Sequence, residues 1–149
     1  MKEKFAFEAE MYGSLSCLPL AAKMAFDTVG LKISRMQWQA LDAEERRKLC
    51  EMSTDSEADN RAFREFAIET VQRRCGETLK ALPDEKRAAA LPPEELPQVL
   101  AEKAKSLGYG LTPARWKSLD YDQRYALLKF GGHDGKPKKF AAALAEFLD

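Results

Sequence analysis

The chain of 149 residues has few cysteines, a single histidine and no excess of charge of either sign. Cys17, Cys50 and Cys75 form no C-x-x-C pair, and His133 cannot complete a common zinc pattern with them. We therefore expect no metal site and no bound cofactor. An odd and sparse set of cysteines is typical of proteins from a reducing compartment, which predicts a cytoplasmic location.

The balance of charge and the lack of long apolar runs exclude two classes of partner. Lys and Arg total 24, and Asp and Glu total 24, whereas a domain that binds nucleic acid through phosphates is normally basic. The apolar run over residues 17–22 ends at Lys23, which is too short for a signal peptide or for the roughly 20 apolar residues of a membrane span. We expect a soluble protein that contacts neither nucleic acid nor membrane.

An internal repeat is the strongest signal along the chain. Residues 18–52 align with residues 96–130 at an offset of 78, with eight identities in 35 positions, where unrelated segments would share about two. The identical pairs are Leu18/Leu96, Pro19/Pro97, Gly30/Gly108, Trp38/Trp116, Leu41/Leu119, Asp42/Asp120, Arg46/Arg124 and Leu49/Leu127. This predicts a single domain, residues 1–149, in which two pseudo-repeated helical units (about 18–75 and 96–149) share one core. A proline-rich connector covers about residues 82–97.

Helix start and stop signals recur in both halves. The prolines Pro19 and Pro97 suit a first helical turn, and Gly30 and Gly108 suit the left-handed residue that ends a helix. Predicted N-cap residues follow at equivalent positions in each half. They are Ser34 with Gln37, Asp42 with Glu45, Thr112, and Asp120 with Gln123.

The sequence also predicts helices in much of the rest of the chain. Apolar residues recur with a 3.6-residue period over Glu57–Cys75 and over residues 140–148, and the connector holds one short helix over Asp84–Ala90. Residues 5–8 alternate with period two, which predicts a short strand or an extended arm, and residues 11–16 are expected to form a loop. The fold class is all-α.

Two groups of residues could carry chemistry. Cys17 precedes a helix, where the dipole would favour a reactive thiolate, although free cysteine is more often a small apolar side chain packed at such a position. Trp38 with Arg46, and Trp116 with Arg124, could form cation–π contacts. In the alternative, each Trp fills a corner between helices and each Arg caps carbonyls or pairs with a carboxylate. No catalytic constellation is present, and the one candidate base for Cys17 is His133.

The order and spacing of short motifs resemble the small bacterial nitrate reductase-associated proteins over nearly the whole chain. These motifs are Phe5-x-Phe7-Glu8, Cys17-x-Pro19 with Asp27, Gly30-Leu31-Lys32-Ile33-Ser34 before Trp38, Arg64-Glu65-Phe66, Trp116-x-x-Leu119 with Arg124, and His133 followed by Phe140-x-x-Ala143-Leu144-x-Glu146-Phe147. The resemblance implies an accessory role in obtaining active assimilatory nitrate reductase, with the reductase or an assembly factor as partner. It supplies no catalytic residues.

Glu8, Cys17, Asp27 and His133 are the candidate partner-binding residues. One interpretation gathers Glu8, Cys17 and Asp27 at one edge as a polar contact site. In the other, Phe5 and Phe7 fill the core while the acidic residues face water, as period-two alternation requires. Two different functions also stay open: a thiol-dependent enzyme or redox sensor that uses Cys17, and a small-ligand carrier with a cavity between the two halves.

Overall fold

Residues 5–9, 11–132 and 135–148 are described by a computed structural model, which is 68% helical. The helices are Met11–Ser14 (α1), Leu20–Val29 (α2), Arg35–Ala40 (α3), Ala43–Glu51 (α4), Glu57–Cys75 (α5), Asp84–Ala90 (α6), Gln98–Ser106 (α7), Pro113–Ser118 (α8), Tyr121–Gly131 (α9) and Pro137–Leu148 (α10). The prediction of a mainly helical fold is confirmed. Within the described ranges, no helix combines the length and the apolar character needed to cross a bilayer.

The chain divides into two compact units, Met1–Ala88 and Ala89–Asp149. In the first unit, α2 packs on α4 and α5, and α3 also packs on α5. In the second unit, α9 lies between α7 and α10, which both contact it. Each unit buries its tryptophan, Trp38 in the first and Trp116 in the second. The single shared core predicted from the sequence stays a prediction.

The predicted caps are confirmed. Each of them joins groups that are only three residues apart, so residue type and spacing were enough to predict it. The Ser34 hydroxyl accepts a hydrogen bond from the Gln37 N–H, and the Gln37 side chain accepts one from the Ser34 N–H, which completes a capping box. Asp42 with Glu45, Thr112, and Asp120 with Gln123 cap α4, α8 and α9. Gly30 ends α2 with φ +76°. Pro19 and Pro97 are N-cap residues, one position before the predicted first turn.

Two local predictions fail at short elements, and one short strand pairing was not predicted. Ala6–Glu8 forms a 3₁₀ helix, so the predicted strand or extended arm over residues 5–8 is not confirmed. Met11–Ser14 is helical rather than a loop. Leu31–Lys32 (β1) pairs antiparallel with Lys80–Ala81 (β2), a pairing of two-residue strands that are too short to show any period in the sequence.

An ion-pair network that the sequence did not indicate joins α4 to α5. Glu45 is buried, and its carboxylate accepts hydrogen bonds from Arg73 Nη2 at 2.6 Å and from Arg74 Nε at 2.9 Å. Burial acts to raise the pKa of Glu45, but hydrogen bonds from Arg74, from the Asp42 backbone and from Arg73 outweigh it and hold the pKa below its ordinary value of 4.5. The network therefore stabilises the ionised form of the folded protein.

Replacing Glu45 with glutamine is expected to lower the free energy of unfolding at pH 7 by about 1–2 kcal/mol. Glutamine keeps the cap, as Gln123 does for α9, but it removes the charge that Arg73 and Arg74 contact. The cost lies at the lower end for charged hydrogen bonds because these arginine side chains are 54% and 40% exposed. Urea unfolding of both proteins measures the difference.

The pH dependence of that difference follows from the lowered pKa. A glutamate whose pKa is lower in the folded state contributes its full stability above its ordinary value of 4.5, and loses it as the pH falls through the folded value. The gap between the wild type and Glu45→Gln should therefore shrink below pH 4.5. The exposed neighbour Glu44 supplies the control, Glu44→Gln, with an expected effect within about 0.5 kcal/mol. A gap that is constant down to about pH 3 would contradict the network's role.

Candidate functional site

The amino-terminal segment supplies the cap that Pro19 lacks. Pro19 makes no side-chain hydrogen bond at the N-terminus of α2, where the first N–H groups have no partner within the helix. The Leu20 N–H donates to both Glu8 carboxylate oxygens, at 3.1 Å to Oε2 and 3.3 Å to Oε1. Glu8 is only 2% exposed, and its carboxylate lies at the N-terminus of α2, where the helix dipole is positive. The expectation that this carboxylate faces water is wrong.

Tyr12 lies beside the same helix start. Burial raises the pKa of the Tyr12 phenol well above its usual 10.0, and the negative charges of Glu8 and Cys50 raise it further. The nearby backbone of Ala21 acts in the opposite direction but is outweighed. The phenol therefore stays protonated, and the first turn of α2 is surrounded by Glu8 and Tyr12 from the preceding segment.

The loop over residues 15–19 is held against α3. Leu15 adopts the left-handed conformation at φ +54°, which is uncommon for a residue with a side chain. Its carbonyl accepts a hydrogen bond from Trp38 Nε1 at 2.8 Å. Gln39 Nε2 also donates to the Ser16 carbonyl at 3.5 Å. These two contacts fix the loop and leave Cys17 exposed.

The three residues of the predicted edge, Glu8, Cys17 and Asp27, lie at different places along α2 and the segments before it. Glu8 contacts the first residue of α2, whereas Asp27 lies seven residues further on, about 10 Å along the axis. Asp27 is half-buried, and Cys17 is on the surface near the opposite end of the helix from it. His133 lies outside the described residues. Partner binding by Glu8, Asp27 and His133 stays a prediction, and burial of Glu8 favours its capping role.

An exposed surface forms where the Cys17 loop meets α3. Met36 is 81% exposed, the largest exposed fraction among the big apolar side chains of the described residues. It lies one turn from Gln39, which contacts Ser16, the neighbour of Cys17. We call Ser16, Cys17, Met36 and Gln39 the Cys17 surface. It presents an exposed thiol and an exposed thioether.

The tryptophan–arginine pairs of the repeat have structural contacts. Arg46 donates from Nε to the Trp38 carbonyl at 3.1 Å and from Nη2 to the Gln39 carbonyl at 2.7 Å. In the second unit, Arg124 Nε donates to the Leu119 carbonyl at 3.1 Å. The prediction that each arginine caps carbonyls is confirmed, and both arginines close the end of the short helix that carries the tryptophan.

Metal ligation has no candidate within residues 5–9, 11–132 and 135–148, where no three His, Cys, Asp or Glu side chains group suitably. Cys17 is exposed, and Glu8 is buried at the start of α2.

Comparisons with known proteins identify the family. The family model of the conserved nitrate reductase-associated proteins matches residues 4–147. Neither the curated proteins nor the solved structures give a significant match. The family match covers all four candidate partner-binding residues and both tryptophans of the repeat. The chain belongs to the conserved nitrate reductase-associated protein family.

Proposed function

We propose that the chain is a non-catalytic accessory protein that binds assimilatory nitrate reductase, or a factor that assembles it, and supports formation of active enzyme. The observation that carries this proposal is the family match over residues 4–147, since the family is described by its association with nitrate reductase. The accessory protein acts through protein contacts in the cytoplasm and holds no cofactor of its own.

The Cys17 surface is the contact face we assign to this partner. Met36 has the largest exposed fraction among the big apolar side chains of the described residues, and a flexible thioether adapts to the shape of a partner. The hydrogen bonds from Trp38 to Leu15 and from Gln39 to Ser16 hold the backbone beneath it. Because that backbone is already fixed, binding requires little further ordering.

Capture from nitrate-grown cells tests this proposal. The tagged wild-type chain is expected to recover nitrate reductase or an assembly factor, identified by mass spectrometry. Met36→Glu places a charge on the Cys17 surface and is expected to reduce recovery by about tenfold. Val99→Glu is the matched control, because Val99 is another exposed apolar residue on a helix of the second unit.

The outcomes separate the function from the surface. If the wild type recovers neither reductase nor an assembly factor, the proposed function is refuted. If Met36→Glu recovers as much partner as the wild type, the Cys17 surface is not the contact face. Melting curves of both variants, followed by circular dichroism, check that each is folded.

The internal repeat belongs to the same proposal, as one helical unit used twice. Two observations support it. The bounds of α3 and α8 differ by the predicted offset of 78 residues. In addition, Trp38 donates to the carbonyl of Leu15, and Trp116 Nε1 donates at 3.4 Å to that of Pro93, which is 23 residues upstream in each case. A repeat of this kind would present two similar faces to a partner.

A thiol-dependent role at Cys17 is the second candidate, favoured by the exposure of this cysteine. Cys50 is buried and Cys75 is of intermediate exposure. Since a reagent must reach the sulfur, N-ethylmaleimide at neutral pH is expected to label Cys17 first, Cys75 more slowly and Cys50 only on unfolding. Peptide mass spectrometry over time measures the order. Equal labelling of Cys17 and Cys50 in the native protein would contradict it.

Cys17→Ser distinguishes the two candidate functions in cells. Under the accessory proposal, Cys17→Ser changes the Cys17 surface by one atom, so a folded variant supports nitrate reductase activity in proportion to the partner that it captures. A variant that is folded and captures the partner, but supports no reductase activity, would establish the thiol-dependent role instead.

A further inference from the structure

A second feature of the first unit is an open groove of about 480 Å³ beside α5. Residues of α2, α5 and α6 line it, and three of them are arginines, Arg61, Arg64 and Arg87. Glu57 and Glu65 also line the groove, so its lining carries one more positive than negative charge. The volume lies in the usual range for binding sites, roughly 300–1,000 Å³.

Arg61 and Arg64 make no direct contact with a carboxylate of the described residues. They lie one turn apart on α5, so their Cβ atoms are about 5–6 Å from each other. Within the described part of the chain, neither guanidinium forms a hydrogen bond or an ion pair, although Glu57 and Glu65 occupy the same helix face. Each therefore offers all five N–H donors to a ligand.

Arg87 is held across the groove by contacts with α2. Its Nε and Nη2 donate to the Thr28 carbonyl at 3.0 and 2.6 Å. Its stem passes close to Gly30, where an added Cβ would lie 3.4 Å from Arg87 Cδ. Two of the five guanidinium donors are used, so three remain for a ligand. The contacts restrict the side chain before any ligand arrives.

Asn60 also lines the groove. Its Oδ1 is buried and has no hydrogen-bond partner among the described residues. Because that oxygen is closed to solvent, a ligand in the groove does not reach it, and the arginines are the groups that a ligand would meet.

The length of the groove favours a peptide over a small anion. Its lining runs along α5 from Glu57 to Ile68, which is eleven residues and about 16 Å. About five residues of extended chain cover that distance at roughly 3.3 Å each. Ile68 and Val29 supply apolar surface within the lining.

We propose that this groove binds an extended acidic segment of a partner protein, with its carboxylates on Arg61, Arg64 and Arg87. The proposal rests on the proposed function only for the identity of that partner. Arginine pairs with carboxylate through parallel N–H···O bonds, which gives both attraction and direction.

Fluorescence anisotropy on the full-length chain tests the groove. The probe is a fluorescein-labelled, amidated pentapeptide of alternating Glu and Leu, and its counterpart has Gln in place of Glu. The Glu peptide is expected to bind saturably, and more weakly as salt rises from about 50 to about 500 mM. Arg61→Gln with Arg64→Gln should weaken binding by about tenfold or more.

The matched control removes the same charge elsewhere. Arg47 in α4 and Arg115 in α8 are exposed, and the double variant Arg47→Gln with Arg115→Gln should change binding less than about twofold. Equal weakening in both double variants would overturn the proposal, because binding would then depend on net charge. Equal binding of the Gln peptide would overturn it as well.

Inorganic phosphate distinguishes a peptide groove from a small-anion site. If phosphate binds and the Glu peptide does not, the acidic-segment proposal is refuted. If the peptide fails to bind but the chain captures reductase from cells, only this inference fails. If the peptide binds with the arginine dependence described above and no partner is captured, the groove stands and the proposed function fails.

Discussion

Replacing Trp38 with alanine is expected to lower the free energy of unfolding by about 3–5 kcal/mol. The Trp38 side chain is 1% exposed and belongs to the core cluster formed by α2, α3, α4 and α5. Its removal leaves a cavity too confined by neighbouring side chains to collapse fully. It also deprives the buried Leu15 carbonyl of its indole donor, so the loop that carries Cys17 loses its anchor.

Urea unfolding followed by circular dichroism measures this cost. Trp38→Phe keeps most of the apolar volume and loses the indole N–H, so its cost should be smaller, about 1–2 kcal/mol. Met36→Ala on the same helix is the surface control, and its effect should stay within about 0.5 kcal/mol because Met36 is exposed. A loss below about 1 kcal/mol in Trp38→Ala would contradict the role of this side chain.

The two tryptophans also test the predicted shared core. Trp38→Phe leaves Trp116 to report on the second unit, and Trp116→Phe leaves Trp38 to report on the first. If the repeats share one core, both variants unfold in a single transition whose fluorescence and circular dichroism midpoints coincide. Fluorescence midpoints that differ from the circular dichroism midpoints would show two units that unfold independently.

Local interactions were predictable from the sequence, because both partners stand within one helical turn. The Ser34 and Asp42 caps and the Gly30 helix end follow from residue type and spacing. Glu45 shows the limit of that reasoning. Its capping role is visible three residues from Asp42, but Arg73 and Arg74 follow 28 and 29 residues later. No sequence pattern connects a cap on α4 to the last turn of α5.

The candidate sites were harder to predict than the fold, because they depend on contacts between segments that are far apart in the sequence. Arg61 and Arg64 are charged residues on a helix whose other face is apolar, and the sequence alone gives no reason to place them in a groove. They become a groove wall because β2 pairs with β1 and leads into α6, which brings Arg87 to the end of α2. Two-residue strands give no periodic signal, so this return could not be foreseen. Met36 shows the same difficulty, since exposure of a methionine depends on which side of α3 meets the core.

The reversal at Glu8 has a definite physical cause. Period-two alternation assigns Phe5 and Phe7 to the core and Glu8 to water only if the backbone is extended. The 3₁₀ turn over Ala6–Glu8 changes that geometry, and the uncapped start of α2 at Leu20 supplies a site for a carboxylate. Phe5 is still buried, and its ring stacks on Phe7 with centroids 5.5 Å apart. The Glu8 carboxylate thus accepts the hydrogen bond from Leu20 N–H that the side chain of a proline N-cap cannot accept.

Replacing Glu8 with alanine is therefore expected to lower the free energy of unfolding by about 2–3 kcal/mol. The change removes the acceptor of the Leu20 N–H and leaves that donor buried. Glu8→Gln retains one acceptor oxygen and loses the interaction of the charge with the helix dipole, so it should cost about 1 kcal/mol. Urea unfolding of the three proteins at pH 7 measures the series.

The functional reading of Glu8 requires a variant that stays folded, and Glu8→Gln is that variant. If Glu8 serves as a cap, the folded Glu8→Gln protein captures as much reductase as the wild type, and cells retain nitrate reductase activity. A direct contact with the partner would instead make capture fall while the melting curve stays unchanged. We expect the first result, because a side chain that is 2% exposed and bonded to the Leu20 N–H presents almost no surface to another protein.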